Sequence, residues 1–173
     1  MMKEQIITYR EDVIWDDIES VREIVESSGF FSNAEIDVAI ELVQEHLMKG
    51  ISSGYYFVFV EQAGRVVGYT CFGPIPCTVA SYDLHWIAVH NDFRGRGIGK
   101  ELLKKTEAII ATQGGWRIYI DTASREQYES TRRFYLHCGY REEAVLDDFY
   151  APGDGKVIYV KVLHPNIRRG DRI

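Results

Sequence analysis

The sequence predicts a mixed α/β domain, and three observations lead there. Apolar residues recur at steps of three or four in some stretches and alternate in others, so helices and strands are both present. The stretches run in the order β-α-α-β-β-β-α-β-α-β-β, with one pair of strands joined around a long helix. Apolar residues make up 46% of 173, and 11 Tyr and 8 Phe suit a mixed core better than a plain helical bundle. The expectation is a single domain over residues 1–163 with a polar tail over 164–173. Its sheet would be mixed but mostly antiparallel, with about six to seven strands flanked by about four helices.

The elements follow in order. Residues 5–10 read as a short strand. Ile14, Ile18, Val21 and Val25 form one stripe of a helix over 14–28, which Ser27-Ser28-Gly29 ends. Ser32-Asn33-Ala34-Glu35 is a capping-box pattern. It opens a helix with Ile36, Ala39, Val43 and Leu47 on one face and Gly50 as its stop. Residues 55–61 and 65–73 alternate across Gln62-Ala63-Gly64, which predicts a β-hairpin, and Pro74 and Pro76 then interrupt pairing. Residues 79–90 predict a long central strand. The helix over 98–112 turns Ile98, Leu102, Leu103, Ile109 and Ile110 inward and Lys104, Lys105 and Glu107 outward, before Gly114-Gly115. A strand over 116–121, a helix over 126–137 and strands over 140–148 and 156–163 complete the chain, the last two joined at Pro152-Gly153-Asp154-Gly155.

A net charge of −6 argues against a nucleic-acid partner, which would need a broad basic surface. Cys71, Cys77 and Cys138 are odd in number and show no CxxC, so neither a disulfide framework nor a zinc site is expected. His46, His85, His90, His137 and His164 lack ligand spacing, so no metal is expected. No stretch approaches the roughly 20 apolar residues of a membrane span, and the first residues do not read as a signal peptide. The expectation is a cytoplasmic protein with no membrane partner, and a homodimer is left open.

One segment carries chemistry on its face. The strand over 79–90 runs through Asn91-Asp92-Phe93 into Arg94-Gly95-Arg96-Gly97-Ile98-Gly99-Lys100, where a helix begins. A helix start has unpaired N–H groups and partial positive charge. Glycines let several N–H groups converge on one oxygen cluster, and Arg94, Arg96 and Lys100 add charge. The spacing fits neither a dinucleotide fingerprint, whose last glycine would fall on Lys100 or Leu102, nor a P-loop, whose hydroxyl would fall on Glu101.

With Ile87-Ala88-Val89 before it, the run Arg94-Gly95-Arg96-Gly97-Ile98-Gly99 resembles the coenzyme A motif of the GNAT superfamily of acetyl-CoA-dependent N-acetyltransferases. Further on, Phe134-Tyr135-Leu136-His137-Cys138-Gly139-Tyr140 resembles that family's F-Y-x-x-x-G-[F/Y] segment, and the element order agrees along almost the whole chain. The resemblance implies a GNAT-like fold with a splayed central strand pair, the strand bearing Ile87 and Val89 diverging from that over 116–121. It implies acetyl-CoA as co-substrate, with the pantetheine arm along Ile87, Ala88 and Val89 and the pyrophosphate on residues 94–100. It also implies direct acetyl transfer to an amine. Where family members often carry an asparagine at a coenzyme A contact, this chain has Tyr128.

Attack on a thioester needs a neutral amine, so a base must take a proton, and the leaving thiolate benefits from a donor. By the resemblance Tyr135 is the acid; packing on its helix is the alternative. Asp83 stands where several family members carry a glutamate base, and its shorter side chain would need a water relay. Alternation puts Asp83, His85, Ile87 and Val89 on one face of the strand, and His85 is the rival base. A solvated acid and a packed histidine remain open for the two. Phe134 reads as core. By the resemblance Phe30, Phe31, Phe72, Phe149 and Tyr150 are candidates for an aromatic wall of the acceptor pocket, with core packing as the commoner alternative, and Asp147 and Asp148 are candidates for attracting an ammonium, with a solvated strand end as the alternative. The expected acceptor is a primary amine of a small molecule such as an amino acid. A protein or peptide acetyltransferase and a non-catalytic acyl-CoA sensor are the alternatives.

Overall fold

A computed structural model describes residues 6–163 of the chain. Gln5 of the expected first strand, His164 and the polar tail over 164–173 lie outside the described residues. The strands are β1 (Ile7–Arg10), β2 (Tyr56–Gln62), β3 (Arg65–Pro74), β4 (Ser81–Val89), β5 (Arg117–Ala123), β6 (Arg141–Ala151) and β7 (Asp154–Val162). The helices are α1 (Asp17–Ser27), α2 (Asn33–Lys49), α3 (Ile98–Thr112) and α4 (Glu129–His137). The seven strands order as β1-β2-β3-β4-β5-β7-β6. The β4–β5 pair around α3 is parallel, while β1–β2, β2–β3, β5–β7 and β6–β7 are antiparallel. The mixed, mostly antiparallel sheet with four helices is the expected fold class.

Contacts divide the chain into two compact units. One holds the described residues up to Gly73 together with Leu84–Thr106, the other Pro74–Asp83 and the described residues from Glu107 on. The core of the first unit packs Val21, Ile24 and Val25 of α1 and Ile36, Ala39, Ile40 and Val43 of α2 with Phe57, Phe59, Tyr69 and Ala88. The capping box forms as read: the Glu35 amide donates to Ser32 Oγ at 3.3 Å and the Ser32 amide to Glu35 Oε2 at 2.8 Å. The β2–β3 hairpin closes through Ala63 and Gly64, both at positive φ (54° and 77°), as a tight turn matching strand twist requires.

Helix α1 starts later than the apolar stripe suggested, and Ile14 lies ahead of it, half exposed. Asp17 explains the start. Its fully buried carboxylate accepts from the Ile14 amide at 2.8 Å and is gripped by the Arg10 guanidinium, whose Nε also donates to Glu61 at 2.6 Å.

In the second unit, β5 pairs with β7 along seven residues, and β6 forms the far edge. Glu107 was expected to face outward, but its carboxylate takes both oxygens to Lys161 Nζ, at 2.9 and 2.8 Å. A cationic strand residue 54 positions away draws it in. Lys161 also donates to the Cys138 carbonyl at 2.8 Å, tying β7 to the end of α4.

Candidate functional site

The glycine loop lies in the first unit and is built by short-range bonds. The His90 amide donates to the Val67 carbonyl at 2.8 Å, holding the end of β4. A 3₁₀ turn over Asn91–Phe93 follows, and the Asn91 amide donates to Ser27 Oγ at 3.0 Å. Gly95 and Gly97 then take φ of +74° and +80°, which L side chains rarely adopt. The first bond of α3 runs from the Glu101 amide to the Gly97 carbonyl at 3.2 Å, so the amides of Ile98, Gly99 and Lys100 have no acceptor within the helix. A Cβ added at Gly95 or Gly97 would meet nothing within 4 Å. The backbone is open there to an anion's oxygens, and this is the observation on which a pyrophosphate fits.

The two guanidinium groups are each anchored to a nearby carbonyl. Arg94 Nε donates to the Val89 carbonyl at 3.1 Å, and one terminal nitrogen of Arg96 donates to the Asp92 carbonyl at 2.9 Å. The Arg96 guanidinium lies 5.2 Å from the Phe93 ring centroid. A guanidinium has five N–H groups, so each retains donors for an anion. Lys100 is exposed, Ile98 is buried, and Gly99 sits in the first helical turn. Along β4, Leu84 and Ala88 are buried, and the Ala88 side chain joins the core, while Ile87 and Val89 are partly exposed. His85 is exposed and edge-on to Tyr55 at 5.4 Å.

Tyr135 lies in the second unit and is only 5% exposed. Its ring sits 5.7 Å from Tyr159 and 6.1 Å from Tyr140, and its carbonyl accepts from the Cys138 and Tyr140 amides at 3.1 and 3.0 Å. Burial, with Cys138 and Tyr159 nearby, pushes its phenol above the ordinary range, so the group holds its proton. Tyr128 caps α4 from a 3₁₀ turn, buried, with the Arg125 guanidinium 5.5 Å from its ring centroid. Phe134 was read as core but is partly exposed. It lines an open groove on α4 with Glu126, Ser130, Arg133 and His137, because Tyr135 occupies the inward position of that turn.

Asp83 belongs to the same unit and is half-buried. Burial raises its carboxyl above the ordinary aspartate value, Asp121 raises it further, and Lys156 partly offsets them. Sequence reasoning missed Asp121 and Lys156 as its neighbours. Their ion pair, Nζ to Oδ2 at 2.7 Å, joins β7 to β5.

The aromatic candidates separate. Phe72 is 1% exposed and stacks on Tyr56 at 5.8 Å, so it is core rather than wall. Phe31 packs edge-on to Trp86 at 5.1 Å, and Phe30 is exposed with the Arg94 guanidinium 6.0 Å away. Phe149 and Tyr150, in the second unit, are about half exposed and meet edge-to-face at 4.9 Å. Asp148 is exposed and has a local structural contact. At φ 53° it accepts from the Gly153 amide at 2.6 Å and shapes the β6–β7 turn.

A family model described as an acetyltransferase (GNAT) domain matches residues 52–142. An uncharacterized N-acetyltransferase of Methanocaldococcus jannaschii is 30% identical over 148 residues, covering 76% of this chain and 88% of that protein. A crystal structure of a GNAT-family acetyltransferase from Desulfovibrio desulfuricans is 42% identical, with a TM-score of 0.90 over 91% of this chain and 99% of its own. An aminoglycoside 6'-N-acetyltransferase crystallised with coenzyme A shares the fold at 19% identity, with a TM-score of 0.73 over 92% of this chain and 98% of that one.

Proposed function

The chain belongs to the GNAT family of acetyltransferases, and from that premise we propose that it moves an acetyl group from acetyl-CoA directly to a primary amine of a small molecule. The observation that carries the reading is the loop: Gly95 and Gly97 at positive φ, open on their Cβ side, immediately before the free amides of α3. Those amides, with Arg94, Arg96 and Lys100, would hold the pyrophosphate, and Ile87, Ala88 and Val89 the pantetheine arm. The relative crystallised with coenzyme A has the same fold. Tyr128 stands in place of the asparagine common at a coenzyme A contact.

In the transfer, the amine nitrogen forms a bond to the acyl carbon, the carbon–sulfur bond breaks, and the amine gives up a proton. Asp83 is the base, through water, because its raised carboxyl accepts a proton more readily than an ordinary aspartate. His85 is the rival. Tyr135 returns a proton to the thiolate, a role supported by a phenol that stays protonated.

Calorimetry with coenzyme A tests the loop. Thiol release from acetyl-CoA tests transfer, using benzylamine, ethanolamine, free amino acids, an aminoglycoside and a short peptide with a free N-terminus. Turnover on the small amines is expected. Turnover on the peptide alone would overturn the small-molecule assignment, and tight acetyl-CoA binding with no transfer would overturn the enzymatic one.

A further inference from the structure

Three charged side chains from three strands converge in the second unit. Asp83 of β4 is the register partner of Tyr119. Side chains two apart share a face, so Asp121 stands diagonal to Asp83. Lys156 of β7 is the register partner of Ala123, again two residues along β5, and it reaches back to pair with Asp121 at 2.7 Å. The lysine is also fixed from β6, with its ammonium 4.0 Å from the Phe149 ring centroid. Only 18% of its side chain is exposed, against 44% for Asp121.

We propose that Asp121 and Lys156 are positioning residues for the base, setting how readily Asp83 takes a proton from the acceptor amine. The proposal rests on the assignment of Asp83 as that base. The lysine commits its direct contact to Asp121. Asp83 therefore has a carboxylate as near neighbour and feels the ammonium only at longer range, which matches the order of influences on its titration: burial, then Asp121, then Lys156 in opposition. The other titratable groups around the cluster are the phenols of Tyr119 on β5, Tyr150 on β6 and Tyr128 ahead of α4, and Asp154, which pairs with Arg125 at 2.9 Å. The consequence is a base whose strength depends on two residues that need not touch substrate.

The test needs no acceptor. The side-chain carboxyl carbon of Asp83 is followed by NMR through a pH titration of the full-length chain carrying ¹³C-labelled aspartate. Wild type should titrate above an ordinary aspartate. Asp121→Asn should lower the proton affinity of Asp83 several-fold, Lys156→Met should raise it several-fold, and Lys156→Arg should restore it. A merely structural role would lower stability without moving these midpoints in opposite directions. Spectral dispersion verifies that each variant folds, and the exposed Asp121→Asn change supplies the readout if Lys156→Met does not. Midpoints that stay fixed overturn the inference and leave the base assignment standing. Transfer that survives Asp83→Asn in the amine panel overturns the base assignment, and the inference with it.

Discussion

The Gly97 carbonyl accepts the first intrahelical bond of α3, from the Glu101 amide at 3.2 Å. Gly97 thus ends the loop and starts the helix, at a φ of +80° that a side chain resists. Gly97→Ala should cost about 1 kcal/mol of stability through that conformation. Gly97→Asp adds a negative charge beside the free amides and should weaken coenzyme A binding at least tenfold, about 1.4 kcal/mol or more. Calorimetry with coenzyme A decides it, and an unchanged affinity would refute the loop as the pyrophosphate site.

Arg96 makes a different prediction, because one terminal nitrogen of its guanidinium is tied to the Asp92 carbonyl while further N–H donors remain. Arg96→Met should weaken coenzyme A binding and flatten its dependence on salt, since an exposed charge contact is screened as ionic strength rises. Arg96→Glu should weaken it further. Equal salt slopes for wild type and Arg96→Met would show that the guanidinium does not meet the phosphates.

Tyr135→Phe keeps the packing against Tyr140 and Tyr159 and removes only the hydroxyl. Loss of a general acid should lower kcat by about 100-fold, with a much smaller change in KM for acetyl-CoA. The sign of the pH effect follows from burial. A phenol raised above its ordinary value of about 10 stays protonated through neutral and mildly alkaline pH, so Tyr135 should give kcat no alkaline decline below that value. Steady-state kinetics across that range checks both parts, and an unchanged kcat would remove Tyr135 as the acid.

Legibility in the sequence followed the range of the interaction. The capping box of Ser32 and Glu35 was readable because its partners lie three residues apart, and the glycine loop because its donors are contiguous. Helix α3 has the bounds its apolar spacing implied. Glu107 was misread because the cation that turns it inward comes from another strand. Phe134 lies partly exposed rather than in the core, and Phe72 takes the core alternative, because composition does not say which aromatic of a strand or helix faces the interior. The cluster around Asp83 was invisible because strand register, which sequence spacing does not determine, brings Asp121 and Lys156 together.

The Lys161–Glu107 pair predicts a stability effect. Each side chain is mostly withdrawn from solvent, and Lys161 also holds the Cys138 carbonyl at the end of the helix that carries Tyr135. Lys161→Met leaves the Glu107 carboxylate without this partner and should cost about 2 to 3 kcal/mol, less than a fully buried pair would. Lys161→Met with Glu107→Leu should recover much of that loss, because neither charge is then stranded. Urea midpoints of the single and double variants measure it. A double variant as unstable as the two losses added would count against a coupled pair.

Asp83 should cost the fold stability where it is charged. Its carboxyl titrates higher in the folded chain than the ordinary aspartate value of about 3.9. In the interval between those two values the folded state binds more protons than the unfolded state, so stability falls as pH rises through it. Below both values the penalty is absent; above both it is complete and constant. Asp83→Asn removes the charge, so it should raise the thermal midpoint at about pH 7 and change it least near pH 3. The gain should be modest, because the residue is only half withdrawn from water. A variant that gains stability while losing transfer would mark Asp83 as a group kept for chemistry at the expense of the fold. Loss of stability at both pH values would instead assign it a structural role. Thermal melts of the two proteins across that pH range, beside the amine panel, distinguish the outcomes.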